Sequence, residues 1–226
     1  MLLDHIGVIL YPRVLWLRIV GRLAFPLYAF FIAEGCRYTK NKAKYFSLLS
    51  GLAILCQVVA EIAVPDNDLM SVLMTFSFSV LLIYAMQYAK ECLFKKEKAY
   101  KTALAFLLFF GGVALTYYVM QHTEFDYGFW GCMLPVFAAA FDFHRVHAPA
   151  VLEKIGVLPL RIVSMAIPLF ILCLHASLGD IQFYSFIALL LLLLYGGKRG
   201  KWNMKYFFYL FYPLHLAILY GISMLM

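Results

Sequence analysis

A carboxylate and an imidazole stand side by side near the start of the chain, Asp4-His5, inside the otherwise apolar run MLLDHIGVILY. Two guanidinium groups follow at Arg18 and Arg22, and a second carboxylate, Glu34, closes the stretch FPLYAFFIAEG. Another imidazole, His215, lies in YLFYPLHLAILY near the far end of the sequence. Imidazole has a free pKa near 6.5 and is the commonest general base at neutral pH. Guanidinium groups stay charged and can hold negative charge that develops in a reaction. Together the set suits abstraction of a proton with stabilisation of an anion. The residue types also allow plainer readings: a structural ion pair for the arginines, and a histidine donating to a backbone carbonyl. No H-x-x-x-H or His/Cys cluster points to a metal.

These groups are embedded in a membrane-type sequence. Hydrophobic residues make up 65% of the chain and charged residues 14%, and the mean hydropathy is +0.85. Soluble domains carry about 45–50% apolar and about 25% charged residues. The apolar stretches are continuous and roughly 18–24 residues long, where a barrel would alternate over about ten. Lipid offers no partner for unpaired backbone groups, so helices are the expected solution. The pattern predicts an all-α polytopic bundle with about eight full transmembrane helices at 13–36, 45–64, 68–89, 101–121, 127–143, 160–177, 180–196 and 204–225. A short segment, 1–11, precedes them. No linker or repeat divides the chain, which reads as a single domain, 1–226. The five cysteines, at 36, 56, 92, 132 and 173, show no paired spacing and read as small core residues.

Charge gives the orientation. Of the 19 lysines and arginines, all but Arg13, Arg18 and Arg22 fall in or beside four alternate connections. These hold Arg37, Lys40, Lys42 and Lys44; Lys90, Lys95, Lys96, Lys98 and Lys101; Arg145, Lys154 and Arg161; and Lys198, Arg199, Lys201 and Lys205. The intervening connections carry Glu61, Asp66, Asp68, Glu124, Asp126 and Asp180 and no basic residue. The positive-inside rule makes the basic connections cytoplasmic and the C-terminus external. The net charge of +7 thus reports topology in the lipid bilayer, and a nucleic-acid partner is not expected. The basic loops could also hold an anionic cytosolic ligand or lipid headgroups.

Arg18 and Arg22 are four residues apart and share a helix face. Arg22 lies nine residues below Arg13, about 13 Å along a helix, near the middle of a hydrocarbon core about 30 Å thick. A charge at that depth faces a polar interior. Residue counting puts His5 and His215 at a similar level, about 10–13 Å below a surface. His122, His144, His147 and His175 fall in connections or at helix ends, where a solvated role is expected.

The blocks DHIG (4–7), WLRIVGRLAFPLYAFFIAEG (16–35) with Tyr38-Thr39 and Tyr45, FDYGFWG (125–131) and YLFYPLHL (209–216) together resemble the TraX family along the whole chain. That family is known for membrane N-acetylation of pilin, and shares a fold with acyltransferase-three proteins and heparan N-acetyltransferase. The resemblance implies transfer of an acetyl group from cytosolic acetyl-CoA to an amine, or a hydroxyl, across the bilayer. The acceptor would be a protein, a glycan or a small amine. It also implies that His5 is the catalytic histidine. Members usually carry several more residues before DHIG, so either the start is assigned late or the first helix is a half-span.

On that reading His5 takes the amine proton or carries the acetyl group transiently. Asp4, about 100° from His5 on a helix, binds the acceptor ammonium or pairs with Arg22. The backbone, Arg22 or His215 faces the thioester oxygen. Arg18, Arg22, Glu34 and Arg37 are the expected donor-binding residues, and Asp126 and Tyr127 the acceptor-binding ones. Glu34 pairs with Arg37 three residues on, or marks the coenzyme entrance; it cannot reach Arg22 unless the helix breaks at Pro26. A transporter or flippase, or a noncatalytic assembly protein of a pilus or envelope machine, are the alternatives.

Overall fold

The computed structural model describes residues 1–63, 70–144, 146, 148–155, 158–175, 179–197 and 205–225. Its α-helices are α1 (Leu2–Ile9), α2 (Leu15–Arg22), α3 (Ala24–Tyr38), α4 (Lys42–Ala63), α5 (Val72–Phe94), α6 (Ala99–His122), α7 (Gly128–Ala140), α8 (Ala150–Ile155), α9 (Leu158–His175), α10 (Gly179–Gln182), α11 (Ile187–Leu193) and α12 (Lys205–Leu225). A single 3-10 turn, Phe183–Phe186, precedes α11. Asp66, Asp68, Arg145, His147, Lys198, Arg199 and Lys201 lie outside the described residues, as do the side chains of Lys154, Asp180 and Lys205.

Among the described residues, five helical stretches are long and apolar enough to cross a membrane: Leu15–Tyr38, Lys42–Ile62, Val72–Phe94, Ala99–His122 and Leu158–His175. Three shorter apolar stretches, Gly128–Ala140, Phe183–Leu193 and Leu210–Ile222, occupy the other expected spans. The architecture is a helical membrane bundle. Its interior is decided by which helices hide their surface. The most apolar window of α5 is 56% buried, whereas those of α4 and α6 are 17% buried and present their faces outward. The short helix α7 packs against α3, α5, α6 and α9.

In lipid, apolar burial does little to drive helices together, so close packing and hydrogen bonds must hold them. Small residues supply the close approach: Ala29, Ala33 and Cys36 on α3, Ser79 on α5, and Cys132 and Ala138 on α7 are essentially fully buried. The Ser79 hydroxyl donates to the Cys132 carbonyl at 2.8 Å, tying α5 to α7, and the Ser164 hydroxyl donates to the Phe137 carbonyl at 2.8 Å, tying α9 to α7. All five cysteines are buried and free.

Several boundaries differ from the sequence expectation, and two of them matter for the site. The expected span 13–36 is divided at Leu23, between α2 and α3, and not at Pro26. Pro26 sits in the first turn of α3, where a backbone N–H has no intrahelical partner to lose. Helix α5 runs on to Phe94, which puts Lys90 one turn inside it rather than in a loop.

Candidate active site

The first two helices form a tight hairpin, and glycine makes it possible. A Cβ at Gly21 would come within 2.7 Å of the Asp4 Cα, and one at Gly7 within 3.1 Å of the Leu17 Cβ. Backbones can approach this closely only where a side chain is missing. The approach sets the Asp4 carboxylate 3.4 Å from the Arg18 Nε and 3.9 Å from the Arg22 Nε. Neither contact has hydrogen-bond alignment, and these three buried atoms carry no hydrogen bond among the described residues. Two guanidinium groups therefore share one carboxylate loosely, and the cluster is net cationic without Asp126.

Arg22 also donates from Nη1 to the Tyr127 hydroxyl at 3.0 Å. Tyr127 stacks on Phe25, with ring centroids 3.6 Å apart and planes within 2°. Its backbone is left-handed at φ +61°, followed by Gly128 at φ +52°. A left-handed non-glycine residue costs energy and persists only where its surroundings fix it. Here they do. Asp126 N–H donates to the Met70 carbonyl, Met70 N–H to the Glu124 carbonyl, and the Thr75 hydroxyl to the Asp126 carbonyl, at 2.9, 2.7 and 2.8 Å. Gly131 leaves the space that the Tyr127 side chain enters, since a Cβ there would collide with it. Burial pushes the Asp126 carboxyl up to about 7; Arg22 opposes the shift and Asp4 adds to it.

His5, on the next face of α1, meets α12. Its Nδ1 lies 2.8 Å from the His215 Nε2. The two rings are within 19° of coplanar and their centroids are 5.0 Å apart, the arrangement of an in-plane N–H···N bond between five-membered rings. His215 is 5% exposed, and its Nδ1 lies 2.8 Å from the Phe211 carbonyl oxygen. That acceptor is the carbonyl one turn back, not the one whose partner Pro213 removes. Tyr212 stands edge-on to both imidazoles, at 6.3 and 5.3 Å between centroids. A hydrogen-bonded imidazole pair beside a cationic cluster can accept a proton and place positive charge near a developing anion.

Glu34 and Arg37, grouped in the sequence reading with Arg18 and Arg22, belong to a second cluster. Glu34 Oε1 accepts from Arg161 Nη1 at 2.6 Å and lies 3.5 Å from Arg37 Nη1. Arg37 Nε in turn lies 3.5 Å from an Asp142 oxygen. Arg161, counted from sequence as a connection residue, is completely buried in the first turn of α9. Its Nε donates to the Ala138 carbonyl at 2.9 Å, while Lys90 Nζ donates to the carbonyls of Ala139, Ala140 and Asp142 at 3.1, 2.6 and 3.3 Å. With Ser164 on Phe137, the last carbonyls of α7 are thus all satisfied by side chains from α5 and α9. A 13-residue helix is about 20 Å long against a hydrocarbon core of about 30 Å. Its terminal carbonyls would be left at membrane depth, where each needs an internal partner. Cations at a helix C-terminus also oppose its dipole.

The two clusters sit at different ends of the bundle. Arg37, Lys42, Gln87, Glu91, Asp142 and Val146 line a cavity of about 30 Å³, so three of the basic connections meet there. That volume holds about one or two waters. His122 and His175 bond to the carbonyls of Tyr118 and Ile171 on exposed helix ends, both at 2.8 Å, and join neither cluster. Sequence reasoning missed Arg161, Lys90 and Asp142 as interior residues. The available signal was that Arg161 abuts an apolar run, IVSMAIPLFILCL, with no polar spacer.

The sequence profile described as TraX protein matches residues 1–223. The chain is 27% identical to "Probable fimbrial assembly protein FimC, serogroup H1" of Dichelobacter nodosus, across 99% of this chain and 91% of that protein. No solved structure matches.

Proposed function

The chain belongs to the TraX family, and from that premise we propose that it is a pilus-associated membrane acetyltransferase moving an acetyl group from acetyl-CoA to an amine. The observation that carries the reading is the His5–His215 pair, 2.8 Å apart inside the bundle, with His5 on the helix whose Asp4 approaches Arg18 and Arg22. The donor approaches from the basic end, taken as cytoplasmic in an inner-membrane topology, where Lys42 and Arg37 suit the phosphates of coenzyme A. The acceptor amine arrives from the other end, past Asp126 and Tyr127.

His5 removes a proton from the amine as nitrogen attacks the thioester carbonyl. The N–C bond forms, the C–S bond breaks with its electron pair on sulfur, and His5 returns the proton to the thiolate. Arg22 and Arg18 stabilise the negative charge that passes from oxygen to sulfur. The acceptor in this reading is the amine of a pilin-like subunit; another protein, a glycan or a small amine would present the same nucleophile.

A second reading has one observation in its favour: the relative from Dichelobacter nodosus is named an assembly protein. As an assembly protein the chain would bind subunits without chemistry. Purified protein incubated with acetyl-CoA and an amine-bearing peptide separates the two. Thiol release together with an acetylated peptide by mass spectrometry, both lost in His5→Ala, is the expected result. Release no faster than without protein would leave the assembly role.

A further inference from the structure

We propose that His215 is a positioning residue which, held by the Phe211 carbonyl, fixes His5 with its proton on Nδ1 and so leaves Nε2 as the base; the inference rests on the acetyltransferase reading. The argument is one of donors and acceptors. A backbone carbonyl can only accept, so the His215 Nδ1 that lies 2.8 Å from the Phe211 oxygen carries a hydrogen. A neutral imidazole has one N–H, so the His215 Nε2 is a lone pair. The His5 Nδ1 facing it at 2.8 Å must then be the donor. The His5 Nε2 is left with the lone pair that can accept a proton. Two hydrogen bonds thus carry the polarity of a helix backbone to the base.

The same chain of bonds serves both halves of the reaction. When His5 takes the amine proton on Nε2, its Nδ1–H remains bonded to His215, and the new positive charge faces a lone pair backed by a carbonyl dipole. Nothing in the relay has to rotate. A carboxylate usually fills this orienting role for a catalytic histidine. The carboxylate adjacent in sequence, Asp4, is directed to Arg18 and Arg22 instead. A neutral imidazole orients the base without placing another charge inside the membrane, where an ion is costly. His215 owes its own proton position to helix geometry: His122 and His175 also place Nδ1 2.8 Å from the carbonyl four residues back. What is particular to His215 is that its remaining nitrogen meets a second imidazole.

The test uses the full-length protein in lipid nanodiscs with ¹⁵N-labelled histidine, whose nitrogen shifts tell Nδ1–H from Nε2–H. The wild type should show both His5 and His215 in the Nδ1–H form. His215→Phe should return His5 to Nε2–H, and kcat should fall by about 10²-fold or more with the KM for acetyl-CoA unchanged. His215→Gln supplies a carbonyl oxygen that can still accept, so His5 should keep Nδ1–H and kcat should recover to within about tenfold of wild type, the size of one weakened hydrogen bond. A wild-type His5 in the Nε2–H form overturns the proposal. So does a Gln variant as slow as the Phe variant while His5 stays Nδ1–H, because His215 would then perform the chemistry itself. The spectrum reads the relay without turnover: a wild type silent in acetyl transfer overturns the enzyme reading, whereas a wrong tautomer overturns this one.

Discussion

Glu34 accepts a 2.6 Å hydrogen bond from Arg161 across 127 residues of sequence, and neither side chain is more than 7% exposed. The bond couples α3 to the start of α9, and through the Arg161 Nε to the end of α7. A carboxylate so placed has the geometry of a bolt at the basic end of the bundle. Removing Glu34 strands the buried Arg161, which costs about 3–5 kcal/mol, whereas removing Arg161 leaves Glu34 beside Arg37 at 3.5 Å and should cost less. Glu34→Leu should lower stability by that amount and Arg161→Met by a smaller one, measured by reversible unfolding in mixed micelles. The double variant should lose less than the sum, because no unpaired charge remains. Strict additivity would show that the pair is not coupled.

The Gly21–Asp4 approach gives a second expectation. Gly21→Ala drives a methyl into the α1 backbone, and overpacking of this kind costs about 1–3 kcal/mol. Displacing α1 should also shift His5, so acetyl transfer should fall further than stability does. Gly111→Ala is the control: nothing lies within 4 Å of a Cβ there, and a helix gains up to about 1 kcal/mol on losing a glycine. Equal effects at both positions would mean that α1 and α2 are not in close contact.

Much of this was legible in the sequence, for reasons of depth and charge. Continuous apolar runs and alternating basic connections define a helical bundle because lipid penalises every other backbone. Residue counting put His5, His215 and Arg22 at a common level. It could not show that α1 and α12 are neighbours, since packing order leaves no trace in periodicity. The cluster at the other end was hidden for a different reason. Arg161 and Lys90 lie within one turn of a helix end, where a side chain is free to turn outward to water or inward to a carbonyl. Only the shortness of α7, whose carbonyls need donors inside the bundle, makes inward the favoured choice. Glu34 was read beside Arg37 because local spacing is visible, and its closer partner was not.

The raised pKa of Asp126 has a consequence for stability. Its carboxyl moves from an ordinary 3.8 to about 7 in the folded chain, chiefly through burial. Between those values the folded state binds more protons than the unfolded one, so stability falls as pH rises from about 4 to about 7 and levels off above. Asp126→Asn should flatten this stretch of the curve of melting temperature against pH. An unchanged slope would assign the pH dependence to another group.

Sidedness can be read with thiol reagents, because the native cysteines are buried. Glu124→Cys, on an exposed residue between α6 and α7, should react in intact cells with a reagent that cannot cross the membrane. Lys95→Cys, exposed at the opposite end, should react only after the membrane is opened. The reverse pattern would invert the topology, and the direction of transfer with it.

Arg22 decides whether the cationic cluster acts on the reaction or only on the fold. It contacts Asp4 on α1 and the Tyr127 hydroxyl at the start of α7, so it could serve simply to brace three elements. Bracing and charge stabilisation predict different losses. If Arg22 faces the developing anion, Arg22→Leu should cut kcat by about 10²–10³, as for loss of one such donor. The fold should survive, because Arg18 remains 3.4 Å from Asp4. Arg22→Lys keeps the charge but not the planar fork, and should recover part of kcat with little change in the KM for acetyl-CoA. Turnover held at the wild-type level, with a melting temperature that drops in both variants, would make Arg22 a brace and leave Arg18 as the cation for the anion.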